Sequence, residues 1–204
     1  MNVKIFQLTP FYMNCYVLSD GGDAIVIDPG EASPALLDYL SRFNVRMIVN
    51  THCHCDHCGG NAGVKEATGA PLACHELDLP LLRAVGEQGM MFGVPFPDSP
   101  DPDQFLAHGD KVAFGGEELQ VRHAPGHSPG HVVLAGRDAV FSGDVLFAGS
   151  IGRTDLPGGN YTQLIYSIQT QLMSLPDHVT VHSGHGPATT IGVERASNPF
   201  LVRS

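Results

Sequence analysis

The chain has 204 residues, of which 43% are hydrophobic and 16% are charged, a composition typical of a globular protein with a substantial core. Its formal charge is −10, and an acidic surface of this kind disfavours a nucleic-acid partner. The N-terminal residues lack the pattern of a signal peptide, and no apolar run is long enough to cross a bilayer. We therefore expect one cytoplasmic domain, residues 1–204, with neither a membrane nor a nucleic acid as partner.

Apolar runs bounded by turn residues predict strands over residues 3–8, 15–18, 24–28, 46–50, 71–74, 111–114, 119–123, 132–135, 139–141 and 179–181. Helical spacing and capping residues predict a helix that starts at Pro34 and three more, over residues 59–67, 76–87 and 160–175. Residues 89–102 show no period, and we expect a loop there that forms a wall of a site. Two strand-rich halves, each with helices, favour two sheets packed between helices.

Polar side chains crowd the segment that follows the predicted strand 46–50, at positions His52, His54, Asp56 and His57. Because alternate residues of a strand share a face, His52 and His54 are expected to point the same way. Asp56 and His57 would then swing round where the next helix begins. Crowding such groups at the end of an apolar strand costs free energy unless they bind something, and a divalent cation is the natural binder.

Three later segments each place a His or an Asp in a tight turn after a predicted strand, namely His127, Asp144 and His185. Glycines in these turns let the backbone bend, so that each side chain can reach a shared cleft. Each segment alone is a weak signal. Together with the first motif they supply five His and two Asp, which is enough to hold two metal ions.

This ordered set of residues resembles that of the metallo-β-lactamase-fold hydrolases, and the match spans nearly the whole chain. The resemblance implies an α/β (α+β) fold, a four-layer αββα sandwich with the site at one sheet edge. It also implies two divalent metals as cofactors. Zn²⁺ is the expected ion, although Fe and Mn also use His and Asp ligands.

Carried over by position, the resemblance implies a specific set of ligands. One metal would lie on three imidazoles, those of His52, His54 and His127. The second would lie on Asp56, His57 and His185. Asp144 would bridge the two metals, and Asp28 would support a ligand from behind without binding metal itself.

Within that family, residues 149–159, 189–192 and 198–201 resemble those of short, single-domain glyoxalase II-like hydrolases. This implies a thioester hydrolase, a hydroxyacylglutathione hydrolase that converts S-lactoylglutathione to glutathione and D-lactate. The attacking group would be a hydroxide that bridges the two metals and that Asp56 orients. Arg153 matches a basic residue that contacts the glutathione carboxylate. The chain departs from longer glyoxalase II enzymes in lacking their C-terminal helical domain and their Tyr shortly after the last ligand His.

The five cysteines, three of them within six residues, support other hypotheses. Cys55 and Cys58 form a Cys-x-x-Cys at a strand-to-helix junction, which suits a redox pair or a metal-sensing protein. Together with Cys53 they could hold a structural zinc, although no second Cys-x-x-Cys closes such a site. Both hypotheses leave His52, His54 and the later residues unexplained, and Cys53 and Cys55 are expected on the strand face opposite those histidines.

A mononuclear iron persulfide dioxygenase of the same fold is an alternative enzyme to the thioester hydrolase. The remaining histidines are not expected to bind metal: supporting or packing roles are expected for His123, His131 and His182, and no role is assigned to His75, His108 and His178.

Overall fold

The computed structural model describes residues 1–202. Six strands form the first sheet in the order in which they occur in the chain: β1 (Asn2–Leu8), β2 (Met13–Asp20), β3 (Asp23–Ile27), β4 (Asn44–Val49), β5 (Leu72–Cys74) and β6 (Gln104–Phe105). Eight more strands follow: β7 (Lys111–Phe114), β8 (Glu117–His123), β9 (Val132–Ala135), β10 (Ala139–Gly143), β11 (Leu146–Phe147), β12 (Ser150–Ile151), β13 (Thr180–Ser183) and β14 (Thr189–Thr190). The second sheet has the order β14-β13-β10-β9-β8-β7, while β11 and β12 pair as a separate hairpin.

Seven α-helices connect and cover these strands: α1 (Pro34–Leu40), α2 (Cys55–Cys58), α3 (Asn61–Thr68), α4 (Leu79–Arg83), α5 (Val85–Met91), α6 (Tyr161–Ser167) and α7 (Ile191–Ser197) within the described residues. A 3₁₀ turn, Glu76–Asp78, precedes α4, and a π-helical turn, Ile168–Leu172, extends α6. Side-chain oxygens of Ser33, Asn160 and Thr190 cap α1, α6 and α7. None of the described helices has the length and apolarity needed for a membrane span.

Three hydrophobic clusters show that these elements form four layers. Successive residues of β2 alternate between faces: Cys15 and Val17 pack outward against α1 and α3, whereas Tyr16 and Leu18 pack inward between the sheets. A third cluster joins the outer face of the second sheet to α6 and α7. The order is therefore helices, sheet, sheet, helices, and the predicted αββα sandwich is confirmed.

The ten predicted strands are all present, and no bound differs by more than two residues. The helix predicted over 76–87 is wrong in detail: the chain forms a 3₁₀ turn and then two helices that meet at Ala84, whose backbone leaves the helical region. The predicted loop starts later, because α5 continues to Met91. The helix predicted from residue 59 begins at Asn61, after the separate short helix α2.

Candidate metal centre

The segments that carry the predicted ligands follow the ends of β4, β8, β10 and β13. Because β10 and β13 run parallel, with Val140 paired to Val181, the residues that follow them emerge at the same edge of the sheet. β4 ends at Val49, so His52 and His54 lie in an irregular turn rather than in a strand. Strand alternation is therefore not what makes these two side chains converge.

The first donor group consists of His52, His54 and His127, whose ligand atoms all lie within 4.8 Å of one another. His54 Nδ1 and His127 Nε2 are 2.9 Å apart. The opposite nitrogens are held from outside the group: His127 Nδ1 donates to the carbonyl oxygen of Arg153 at 2.8 Å, and His52 Nδ1 lies 3.2 Å from Thr51 Oγ1. Such outer hydrogen bonds fix the tautomer and the ring orientation of a metal-binding histidine.

The second donor group consists of Asp56, His57 and His185. His185 Nε2 lies 3.2 Å from Asp56 Oδ2, and its Nδ1 donates to the carbonyl oxygen of Phe11 at 3.2 Å. His57 Nδ1 lies 3.1 Å from Asp28 Oδ2, which leaves its Nε2 directed at the other members. This group thus has the same design as the first, with one nitrogen of each ring inward and the other anchored.

Asp144 lies between the two groups. Its Oδ1 is 3.5 Å from His57 Nε2, whereas its Oδ2 is 3.7 Å from His127 Nε2 and 3.6 Å from His185 Nε2. Its backbone N–H donates to His131 Nε2 at 3.0 Å. Gly184 packs against it so closely that a Cβ there would come within 2.2 Å of Oδ1. The carboxylate therefore faces both groups from a position that leaves no room for a side chain behind it.

The donor atoms have the properties that a divalent cation requires. In the described part of the chain, His52 Nε2, His57 Nε2 and Asp144 Oδ1 are buried without a hydrogen-bond partner. Leaving buried polar atoms unpaired costs about 1–3 kcal/mol each, so their convergence on one point indicates a ligand. The set combines imidazole nitrogens with carboxylate oxygens, which suits Zn²⁺ and other divalent first-row metals.

Electrostatics also favours a cation. Burial lowers the pKa of His54 to about 3 and that of His127 to about 4, so both imidazoles are neutral and keep a free lone pair. Burial acts on His57 in the same direction, but the carboxylates around it, chiefly those of Asp56 and Asp144, raise its pKa to about 10. A proton on His57 thus balances the carboxylates at neutral pH, and a divalent ion would supply the same compensation with more charge.

Two buried carboxylates hold the motif segment from behind. Asp28 accepts from the backbone N–H and the hydroxyl of Thr51, both at 2.7 Å, in addition to its contact with His57. It has a left-handed backbone conformation, with φ of 52°, which a non-glycine residue adopts at a cost in energy. Asp28 thus reaches His52 of the first donor group through Thr51, and it contacts His57 of the second group at the outer nitrogen, Nδ1. This is the position of a supporting residue.

Asp78 is the second of these carboxylates, and sequence reasoning missed it. It accepts from Cys53 N–H at 3.1 Å, from Ser128 Oγ at 2.7 Å and from Gly130 N–H at 2.6 Å. It therefore joins the turn that carries His52 and His54 to the loop that carries His127. Its partners lie 25 to 52 residues away, so no local pattern could have revealed the role.

Comparison with known proteins agrees with this geometry. A family profile described as "Metallo-beta-lactamase superfamily" matches residues 8–185. The chain belongs to the metallo-beta-lactamase superfamily. A relative from Haemophilus influenzae, called hydroxyacylglutathione hydrolase GloC, is 38% identical, and the alignment covers 98% of each chain.

Two solved structures are similar to this chain over the whole length. BLEG-1, described as a B3 metallo-beta-lactamase, superposes with a TM-score of 0.92 at 38% identity and covers 99% of this chain and 100% of its own. TTHA1623 in a di-iron-bound form superposes with a TM-score of 0.89 at 41% identity and covers 98% of this chain and 100% of its own. These similar proteins carry different names, and one of them is described with two irons bound.

In this superfamily member the two donor groups open into a cavity of about 480 Å³. His54, Asp56, His127, Asp144 and His185 reach its surface. Its other walls are mainly apolar and include Phe11, Phe92, Phe147, Ile151 and Leu156. Phe92 lies in the segment that we expected to form a wall, so that part of the prediction is confirmed.

Arg153 also lines the cavity, but its guanidinium is already paired. Its Nε and Nη2 donate to the two carboxylate oxygens of Asp155, each at 2.7 Å. Both side chains are exposed, and the arginine backbone serves the site separately through the hydrogen bond from His127. The predicted substrate residue is therefore at the cavity, in a pair with an acidic residue that the sequence reasoning did not single out.

The five cysteines are free and buried, and all of them belong to the hydrophobic cluster behind the motif: Cys15, Cys53, Cys55, Cys58 and Cys74. Burial raises the pKa of Cys55 and of Cys58 to about 11, so both remain thiols at neutral pH. Of the other histidines, His131 stacks on His52 at a centroid distance of 4.7 Å and His182 stacks on Phe141. Both have the packing or supporting positions that were expected of them.

Proposed function

We propose that this protein is a metal-dependent thioester hydrolase of the hydroxyacylglutathione hydrolase type, with S-lactoylglutathione as the reference substrate. The observation that carries the proposal is the pair of donor groups that share Asp144 and open into one cavity. The name of the Haemophilus relative points to the same thioester. We also propose that residues 1–204 form one domain and that its substrate is a small molecule.

The residues would divide the work as follows. His52, His54 and His127 would hold one ion, and Asp56, His57 and His185 the other. Asp144 would contact both, since its two oxygens face different groups. When bound, two such ions lower the pKa of water from about 15.7 to about 7 and polarise a carbonyl.

The cavity residues outside the donor groups fit a thioester because the titratable ones are weak acids. Burial raises the pKa of the Cys55 thiol to about 11, and the Arg153 guanidinium keeps its proton throughout the neutral range. A thiolate leaving group has a parent pKa of about 8.5 and departs without protonation, whereas an amine or alkoxide would need a proton. Asp56, held by His185, would orient the attacking oxygen within the second group.

The alternatives are less well supported by the site. A redox role for Cys55 and Cys58 requires a reactive thiolate, but burial raises the pKa of both. A structural zinc on the cysteines would leave His52 Nε2 and Asp144 Oδ1 unpaired. A persulfide dioxygenase with one iron would use the first donor group and leave the second, with its own convergent ligands, unexplained.

The test is metal analysis combined with a substrate panel. We expect about two metal ions per chain and release of thiol from S-lactoylglutathione. A chromogenic cephalosporin belongs in the panel, because BLEG-1 is described as a lactamase. Zn²⁺, Fe and Mn are loaded separately, since the ligand set accepts all three.

A matched pair of variants tests the shared ligand. Asp144→Asn keeps the shape of the side chain but loses the charge, and we expect metal content and activity to fall together by more than the roughly 10- to 100-fold that removal of an outer partner costs. Asp38→Asn, on the exposed face of α1, is the control and should change neither. A protein that holds two ions but cleaves no thioester would refute the proposed reaction. Full metal content in Asp144→Asn would refute the shared ligand.

A further inference from the structure

The cavity has two chemically different sides, and the donor groups orient them. The Phe11 carbonyl oxygen accepts a hydrogen bond from His185 of the second group. The Phe147 ring packs edge-on against the His185 ring at a centroid distance of 6.3 Å. The Arg153 carbonyl oxygen accepts a hydrogen bond from His127 of the first group. An aromatic side therefore adjoins His185, and a charged side adjoins His127.

The aromatic side continues beyond the donor groups. Phe92 meets Phe11 edge-on at a centroid distance of 6.1 Å, and both rings line the cavity. We define the aromatic wall as Phe11, Phe92 and Phe147. Phe92 is 46% exposed. The aromatic wall thus presents apolar surface that is available to be covered by a ligand.

The local backbone holds Phe11 in this position. It lies in the turn between β1 and β2, flanked by Thr9 with φ of 62° and Tyr12 with φ of 53°. Phe11 N–H donates to Thr9 Oγ1 at 3.3 Å, and Tyr12 N–H donates to the Thr9 carbonyl oxygen at 3.1 Å. Two left-handed non-glycine residues in one short turn cost energy, and strain of this kind concentrates at ligand-binding sites.

The charged side is different in kind. Arg153 lines the cavity, and its guanidinium is paired with Asp155, so this side carries charge and suits the carboxylate-bearing thiol half of a glutathione thioester. A thioester whose carbonyl lies between the donor groups has its thiol half on one side and its acyl half on the other. With the thiol half at Arg153, the acyl half lies on the aromatic wall.

We infer that the aromatic wall of Phe11, Phe92 and Phe147 is an acyl-group subsite, and that it selects thioesters with an apolar aliphatic or aromatic acyl group over the lactoyl group. This inference rests on the proposed thioester hydrolase function. A lactoyl group is small and carries a hydroxyl, so it would leave most of the wall exposed to water. A longer apolar acyl group would cover the rings and gain free energy from burial of both surfaces.

The first experiment varies the acyl group and keeps the thiol constant. The metal-loaded protein is assayed with the lactoyl, acetyl, butyryl, hexanoyl and benzoyl thioesters of glutathione. From acetyl to hexanoyl we expect kcat/KM to rise about two- to fourfold per methylene group, the increment that burial of a methylene gives. Hexanoyl and benzoyl should both exceed lactoyl. A flat or falling series alongside turnover of S-lactoylglutathione would overturn the subsite and leave the hydrolase function standing.

Variants locate the effect. Phe92→Ala should lower the ratio of hexanoyl to acetyl kcat/KM by about fivefold or more, and Phe92→Leu should restore most of it, because a leucine still covers the chain. Phe105→Ala is the matched control: Phe105 is 48% exposed, against 46% for Phe92, but is not among the cavity residues. An unchanged ratio in Phe92→Ala, or an equal drop in Phe105→Ala, would contradict the assignment.

The second experiment measures binding without turnover. S-methylglutathione and S-hexylglutathione are thioethers that cannot be hydrolysed, and their Kd values are compared by titration calorimetry. We expect the hexyl compound to bind about tenfold tighter or more, with the difference reduced in Phe92→Ala and Phe11→Ala. Equal affinities would overturn the subsite. Tight hexyl binding by a protein that cleaves no thioester would refute the proposed function while supporting the subsite.

Discussion

Asp78 joins two loops that carry candidate ligands, so its removal should destabilise the fold and the site together. Asp78→Ala leaves the N–H groups of Cys53 and Gly130 and the hydroxyl of Ser128 without their acceptor in a buried place. An unpaired buried donor costs about 1–3 kcal/mol. The Asp78 carboxylate is itself buried, and burial raises its pKa, so keeping it ionised already costs free energy in the wild type. The stability lost in Asp78→Ala is therefore smaller than the summed cost of three unpaired donors.

We expect Asp78→Ala to lower the free energy of unfolding by about 3 kcal/mol, which corresponds to a shift of about 1–2 M in the urea midpoint. Asp78→Asn retains one acceptor oxygen and should lose about half as much. Metal affinity should fall by about 10- to 100-fold, because the turn of His52 and the loop of His127 lose their common anchor. Asp101→Ala, which breaks an exposed pair with Arg83, is the control and should leave the midpoint unchanged.

A urea midpoint for Asp78→Ala that matches the wild type would refute the anchoring role of Asp78, since three buried donors would then have found other partners at no cost. A stability loss with unchanged metal affinity would be equally informative. It would show that Asp78 stabilises the sandwich without positioning the ligands. Circular dichroism in urea and metal competition with a chromophoric chelator measure the two quantities separately.

Three further predictions concern single residues of the site. Asp155→Asn removes the carboxylate that neutralises Arg153, so the guanidinium becomes free for substrate and KM for S-lactoylglutathione should fall about two- to tenfold; an unchanged or higher KM would contradict this. Gly184→Ala places a methyl group against Asp144, and metal analysis should show loss of bound ion, whereas retention of two ions would show that the carboxylate can move. Cys58→Ala keeps the packing of a small buried side chain and should retain thioester hydrolysis within about threefold, unless the cysteine pair is the working group.

The long strands could be predicted from the sequence because burial on one or both faces leaves a local apolar pattern. β6, β11, β12 and β14 were missed, since each has two residues and shows no alternation. The break at Ala84 could not be predicted either. The segment from Glu76 onward has apolar residues at helical spacing, although it contains Pro80 and Gly86, and its first turn is fixed by the contacts of Asp78 with distant loops.

The convergence of His52 and His54 was predicted correctly, but strand alternation is not its cause. His52 and His54 do converge and Cys53 does pack into the opposite hydrophobic cluster, as a strand would place them. Yet β4 has already ended at Val49. The directions are set instead by side chains from other segments, and these long-range hydrogen bonds have no signature in the local sequence.

These anchors explain how the chain can hold so many unpaired donor atoms in one place. Asp28 fixes Thr51 and His57, and Asp78 fixes Cys53, so the backbone of the motif is tied on both sides before any ligand atom is used. The anchoring carboxylates have their own lone pairs occupied by N–H and O–H donors, which leaves only Asp56 and Asp144 to contribute charge inside the donor groups. Preorganisation of this kind means that the free energy of holding the imidazoles together is supplied by folding, so binding of the ions need not supply it.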